Sequence, residues 1–116
     1  MNMPRQLTFA RTAPATVVDQ ARLLGVRLRV ARKRRRLTLR ELAAKAGIAY
    51  DTARAVEGGN IQTGIGAYLA LAWAMGFDSP LAEVLKPEGD AEGGALALAQ
   101  LPKRVRHPPP NADNDF

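Results

Sequence analysis

Nine basic side chains and no acidic one fall between Arg22 and Arg40, in a chain of 116 residues whose formal net charge is +6. A guanidinium is a planar fork of donors that matches phosphate oxygens and the major-groove edge of guanine. A stripe at this density is the usual electrostatic footprint of a polyanion-binding surface. The plain alternative is a solvated helix face that aids solubility. Most of the acids lie further on, between Asp51 and Asp115.

Other chemistries lack their residues. Cysteine is absent, so disulfides, thiolate metal sites and cysteine nucleophiles are excluded. The single histidine, His107, sits beside a run of prolines. No metal-ligand spacing, nucleophile elbow or phosphate-binding glycine loop is visible, and Gly58-Gly59 and Gly64-x-Gly66 read as loop punctuation. The expectation is a protein that is not an enzyme and takes no cofactor and no metal. Residues 1–15 carry arginines without a continuous apolar stretch, so no signal peptide is expected. The most apolar run, Ile65 to Phe77, falls short of the roughly 20 residues a bilayer span needs. A cytoplasmic protein with no membrane role is expected.

The elements that must carry the basic stripe are helical. Val17, Ala21, Leu24, Leu28 and Ala31 recur at helical spacing and predict a helix from Thr16 to about Arg35, with Gly25 as a break within it. Thr38 with Glu41 three residues on is a capping box, opening a short helix over Leu39–Ala46 with Leu39, Leu42 and Ala43 toward the core. Gly47 suits the left-handed position that ends it. A second short helix follows, about Tyr50 to Gly58. A fourth runs from Ile65 to Met75, with Tyr68, Leu69, Leu71, Ala72 and Met75 inward. A fifth is expected from Pro80, with Leu81, Val84 and Leu85 as its apolar face. Lys86 to Gly94 reads as linker, and Ala95 to Leu101 as two further turns of helix. The result is an all-α architecture of five helices. A flexible N-terminal arm occupies residues 1–15, the domain 16–85, and linker and tail 86–116. A domain of this size buries only about 60% of its unfolded surface, so pairing of two copies would help it.

Two short helices joined by a glycine-containing turn also carry a resemblance. The segments Leu24-Gly25-Val26-Arg27-Leu28-Arg29, Arg32, Leu37-Thr38-Leu39-Arg40-Glu41-Leu42-Ala43, Lys45-Ala46-Gly47-Ile48, Val56-Glu57, Gly59 and Ala74-Met75-Gly76 resemble the lambda-repressor-like (Xre/Cro) helix-turn-helix family. The resemblance implies a five-helix domain that binds double-stranded DNA, commonly as a homodimer, and regulates transcription from the nucleoid. It further implies that the second helix of the motif lies in the major groove. Ala53 and Val56 would then face the core, leaving Tyr50, Asp51, Thr52, Arg54 and Ala55 to reach bases. Arg54 can donate to guanine and Asp51 can accept from cytosine. Asp51 can equally serve the helix dipole or pair with Arg54, and Tyr50 can instead pack on the neighbouring helix. Phosphate contacts would come from Thr38 and Arg40 at the start of the crossing helix, and from Arg35, Arg36 and Asn60 in flanking loops. In the family an arginine at the Arg32 position pairs with a glutamate at the Glu57 position, which makes Arg32 structural. Two positions depart from the pattern. Leu39 stands where a DNA-anchoring glutamine is common, and Ala53 where a large aliphatic is favoured.

The domain followed by a tail Leu101-Pro102-Lys103-Arg104-Val105-Arg106 is similar to a HipB-like subgroup of antitoxins. That similarity implies a HipA-like kinase toxin as partner and a repressor that regulates its own operon. Leu96, Leu98 and Leu101 form a short apolar stripe able to fold on such a partner; the alternative is a solubilising end. Two other readings stand beside this one: a stand-alone Xre-type repressor, and a protein-interaction module whose DNA reading has weakened, as Leu39 and Ala55 suggest.

Overall fold

The computed structural model describes residues 5–102, with side chains from residue 9 onward. Lys103, Arg104, Val105, Arg106 and His107 of the sequence reading lie outside the described residues. Among the described residues six α-helices follow one another: α1 Arg5–Thr12, α2 Ala15–Arg34, α3 Leu39–Ala46, α4 Tyr50–Glu57, α5 Ile65–Ala74 and α6 Ala91–Ala99. A 3-10 turn, Pro87–Gly89, precedes α6. Among the described residues there is no strand, and no helix is long and apolar enough to cross a membrane. The chain divides into two units, residues 1–80 and 81–116.

Local chemistry sets the ends of the helices in the first unit. The Thr38 hydroxyl accepts from the Glu41 N–H at 3.1 Å, and the Thr38 N–H donates to the Glu41 carboxylate at 3.1 Å. Both halves of the capping box are therefore made, and α3 starts where they require. The bond from Thr38 N–H also holds the Glu41 carboxyl below its ordinary range. At the other end of α3 the chain turns left-handed at Gly47. Gly59 and Gly76 take the same conformation just beyond α4 and α5, which is the usual use of glycine at a helix end.

The core is small and sets Leu28, Leu42, Val56, Tyr68, Leu71 and Met75 among alanines. Leu42, Ala53, Val56 and Leu71 have no exposed surface, and Ala43, Ala72 and Ala74 pack with them. Ala53 is fully buried on the inner side of α4. Gly25 makes one close approach between helices. A Cβ there would sit 2.7 Å from the carbonyl oxygens of both Val56 and Glu57, so the middle of α2 rests on the backbone at the end of α4. From sequence alone Gly25 is expected to break the helix. Instead α2 runs unbroken through it, and the glycine is there for contact.

Three further expectations are corrected. The arm is helical over Arg5–Thr12; its lack of apolar periodicity concealed a helix that ends ahead of Pro14. The expected fifth helix at Leu81–Leu85 is a series of turns. Leu85 is left-handed with φ 57°, and Pro87 restricts the residue before it, so the run is too short to repay helix nucleation. Leu81, Val84 and Leu85 are exposed rather than in a core. Part of the expected linker is helical, because the Asp90 carboxylate accepts from the Gly93 N–H at 2.9 Å and starts α6 four residues before Ala95.

Replacing Gly25 by alanine separates contact from propensity. A solvated glycine-to-alanine change in a helix stabilises by about 1 kcal/mol. Here the added methyl meets backbone, and urea unfolding should show a loss of about 1–3 kcal/mol instead. A stabilised variant would mean that α2 and α4 do not touch at this point.

Candidate nucleic-acid interface

α3 and α4 are joined by the turn Gly47-Ile48-Ala49. The Ile48 N–H donates back to the Ala43 carbonyl at 3.1 Å and fixes the exit from α3. Ala49 gives α4 no side-chain cap. Asp51 is the acid in the first turn of α4, where a carboxylate favours the unsatisfied N–H groups of the helix start. It makes no ion pair with Arg54 among the described residues, so that alternative of the sequence reading falls away. Ala53 and Val56 turn into the core; Asp51 and Arg54 are exposed, and Thr52 and Ala55 half-buried.

Behind α4 stands one dense polar contact. Arg32 donates through Nε to Glu57 Oε2 at 2.7 Å, through Nη2 to Glu57 Oε1 at 3.0 Å, and through Nη1 to the Leu37 carbonyl at 2.8 Å. The two side chains are 12% and 8% exposed. Bidentate geometry between two side chains so little exposed gives direction as well as energy. Glu57 raises the Arg32 pKa further, so the guanidinium stays charged.

Around that pair lies an open depression of about 610 Å³, walled by Arg29, Arg36, Thr38, Leu39, Tyr50 and Arg54 together with Arg32 and Glu57. Among the described residues, Arg29, Arg36 and Arg54 have no ion-pair partner. Glu57 is the one carboxylate on the wall, and Arg32 already occupies it. Three uncompensated guanidinium groups thus converge on the start of α3. The arrangement can hold phosphate oxygens and leaves Arg54 on the outer side of α4.

Arg36 occupies an unusual backbone position. It follows α2 with φ 54°, and the Leu37 N–H reaches back to the Arg32 carbonyl at 3.3 Å. This is the helix-end position that glycine holds beyond α3, α4 and α5. An L-residue there carries strain of about 1–2 kcal/mol, and such strain tends to be kept where a side chain is needed.

The remaining residues of the sequence reading fall in different places. Arg40 stacks over the Tyr50 ring with its guanidinium carbon 4.2 Å from the centroid, so Tyr50 does pack on the neighbouring helix while still lining the depression. Arg35 is turned elsewhere. Its Nε donates to the Met75 carbonyl at 3.0 Å, its Nη1 to Ala31, and it covers the Phe77 ring. Asn60 lies apart from the depression too. Its side-chain oxygen accepts from the Gln62 N–H at 2.7 Å, and its carbonyl accepts from the Tyr68 hydroxyl at 3.0 Å. Burial pushes the Tyr68 phenol pKa up. Arg29 was missed by the sequence reading. The available signal was its position one turn before Arg32, which puts both on one face of α2.

A capped short helix, a tight turn and a second helix with a polar outer face, held on α2 and α5, define the helix-turn-helix class. The family model described as a helix-turn-helix domain matches residues 23–85, more than half of the chain, and the chain belongs to that family. No curated protein and no solved structure matches it.

Proposed function

We propose that the protein is a sequence-specific regulator of transcription of the Xre type, acting as a cytoplasmic, nucleoid-associated repressor on double-stranded DNA. The observation that carries this reading is the convergence of Arg29, Arg36 and Arg54 on the start of α3, beside the exposed side of α4. In this reading α4 enters the major groove and Arg54 donates to guanine, with Asp51, Thr52 and Ala55 beside it. Thr38, Arg36, Arg29 and Arg40 approach phosphates on the flanking strand and set register. Tyr50 is steadied by Arg40 and offers its edge to a thymine methyl or a phosphate. Arg35 and Asn60 have less part in it, since their polar groups are engaged on the chain itself. Two copies share one two-fold operator, because a single helix of this length reads only a few base pairs.

Paired substitutions test it, on duplexes selected by the protein from a random library. Arg54→Ala should cost about 1–3 kcal/mol on the selected sequence and relax preference at one base pair. Arg36→Gly should lower the salt slope by about 1 while raising stability by up to about 1 kcal/mol, as strain is relieved. Equal loss from Arg54→Ala on selected and random duplex would make it a phosphate contact only. An unchanged salt slope for Arg36→Gly would remove Arg36 from the interface.

A second reading, the antitoxin of a HipA-like kinase toxin controlling its own operon, is favoured by one observation. Leu96, Leu98 and Leu101 are 55%, 70% and 62% exposed, an apolar load that a free segment carries at a cost. Ending the chain after Leu85 should leave the helical circular dichroism of α2–α5 and the binding of selected duplex largely intact. Capture of a co-expressed kinase toxin should be lost. Undiminished capture would move docking off these leucines.

A further inference from the structure

The basic stripe on α2 faces two ways. The helical repeat places Arg27 and Arg34 within about 20° of each other around α2, and roughly 160° from Arg29 and Arg36. A duplex held by Arg29 and Arg36 therefore has α2 itself between it and the other two. Nothing in the reading of α4 uses Arg27 and Arg34.

They border a second hollow, of about 350 Å³, completed by Val30, Ala31, Arg35 and Phe77. No carboxylate stands on its wall. Neither Arg27 nor Arg34 has an ion-pair partner among the described residues, and Asp78, next to Phe77 in the chain, makes no ion pair either. Arg35 is already fixed in place. Its Nε and Nη1 donate to the Met75 and Ala31 carbonyls, and its guanidinium lies over the Phe77 ring. Nη2 of Arg35 makes no bond among the described residues. A charged edge is thus presented in one orientation, with little side-chain freedom left to lose on binding. Among the three cations the surface is apolar. Val30 is 46% and Phe77 41% exposed, and the exposed Leu23 and Val26 continue the strip along α2.

We propose that this face of α2 docks an acidic segment of another protein. One aromatic or aliphatic side chain of that segment sits against Val30 and Phe77, and its carboxylates meet Arg27, Arg34 and Arg35. Charge complementarity selects the sign of the occupant, since the wall holds three guanidinium groups and no acid. The apolar floor selects its kind. A duplex carries phosphates but no apolar side chain to bury, and a second copy of this chain brings a net charge of +6 to a surface of the same sign. Arginine beside aromatic surface is also the composition that dominates binding at protein interfaces. Because α2 separates this face from Arg29 and Arg36, the partner joins the protein while a duplex is bound and does not compete with it.

Fluorescence polarisation of a labelled synthetic peptide, alternating Glu and Ala around one central Phe, tests this on the full chain without DNA. Two double variants remove the same charge from opposite sides of α2: Arg27→Gln with Arg34→Gln, and Arg29→Gln with Arg36→Gln. The first should weaken peptide binding by about tenfold or more, and the second by less than about twofold. Replacing the peptide's Phe by Gly should weaken binding about fivefold on the unaltered chain, and much less on Val30→Ser. All these positions are exposed, so each variant should keep its helical circular dichroism. On protein saturated with selected duplex the peptide should bind as before at physiological ionic strength, where exposed charges more than about 8 Å apart are largely screened. Equal losses in the two double variants, indifference to the peptide's Phe, or displacement of the peptide by duplex would each overturn the proposal. So would an Arg27/Arg34 variant that keeps the peptide and loses random duplex or phosphatidylserine vesicles. The peptide measurement needs no DNA, so its failure leaves the reading of α4 standing, and failure of duplex binding leaves this face standing.

Discussion

Arg32 and Glu57 stand 25 residues apart in the chain and meet in a bidentate pair at 2.7 and 3.0 Å. Two charges so little exposed are tolerated because each satisfies the other, and because Nη1 of Arg32 also donates to the Leu37 carbonyl. Removing either partner would leave a largely covered charge unpaired, which costs more than losing a surface pair. The pair joins three things: the end of α2, the turn into α3, and the end of α4. Those are the walls of the basic depression. Arg29, Arg36 and Arg54 thus stand on the elements that this pair joins.

Close backbone contact supplements that constraint. Gly25 lets α2 touch the carbonyls of Val56 and Glu57, the latter belonging to the residue that Arg32 grips. Gly59, left-handed at φ 75°, passes so near Arg22 that a Cβ would lie 2.6 Å from the Arg22 Cα. Small residues in the core and glycines at the crossing bring the helices together without much apolar bulk. The domain therefore relies on geometry more than on buried area, and it leaves charge and strain at the depression that a larger core would more easily absorb. Arg36, left-handed where the other helix ends use glycine, is the clearest case.

Much of this fold is legible in the sequence, for reasons that differ by element. α3 is readable to the residue because Thr38, Glu41 and Gly47 state both its ends locally. α5 is readable from its apolar run and Gly76. α2 is readable in extent, but Gly25 is not readable in role, since its reason lies in a carbonyl thirty residues away. Leu81–Leu85 has a helix-like pattern and good capping residues, and fails only because Leu85 turns left-handed ahead of Pro87. The site divides in the same way. The outward side of α4 follows from Ala53 and Val56 once the helix is known. The Arg32–Glu57 pairing has no local signature and enters the sequence reading through a family resemblance. The engagement of Arg35 with Met75 and of Asn60 with Gln62 depends on side-chain direction, which residue type does not give.

The central claim is that one half-buried ion pair holds α4 where its outer face can work, and a double-mutant cycle in urea tests it most directly. Arg32→Ala and Glu57→Ala are each expected to cost about 3 kcal/mol. The double variant should cost little more than either alone, a coupling of about 2 kcal/mol or more. Additive losses with no coupling would contradict the account and leave α4 held by packing alone.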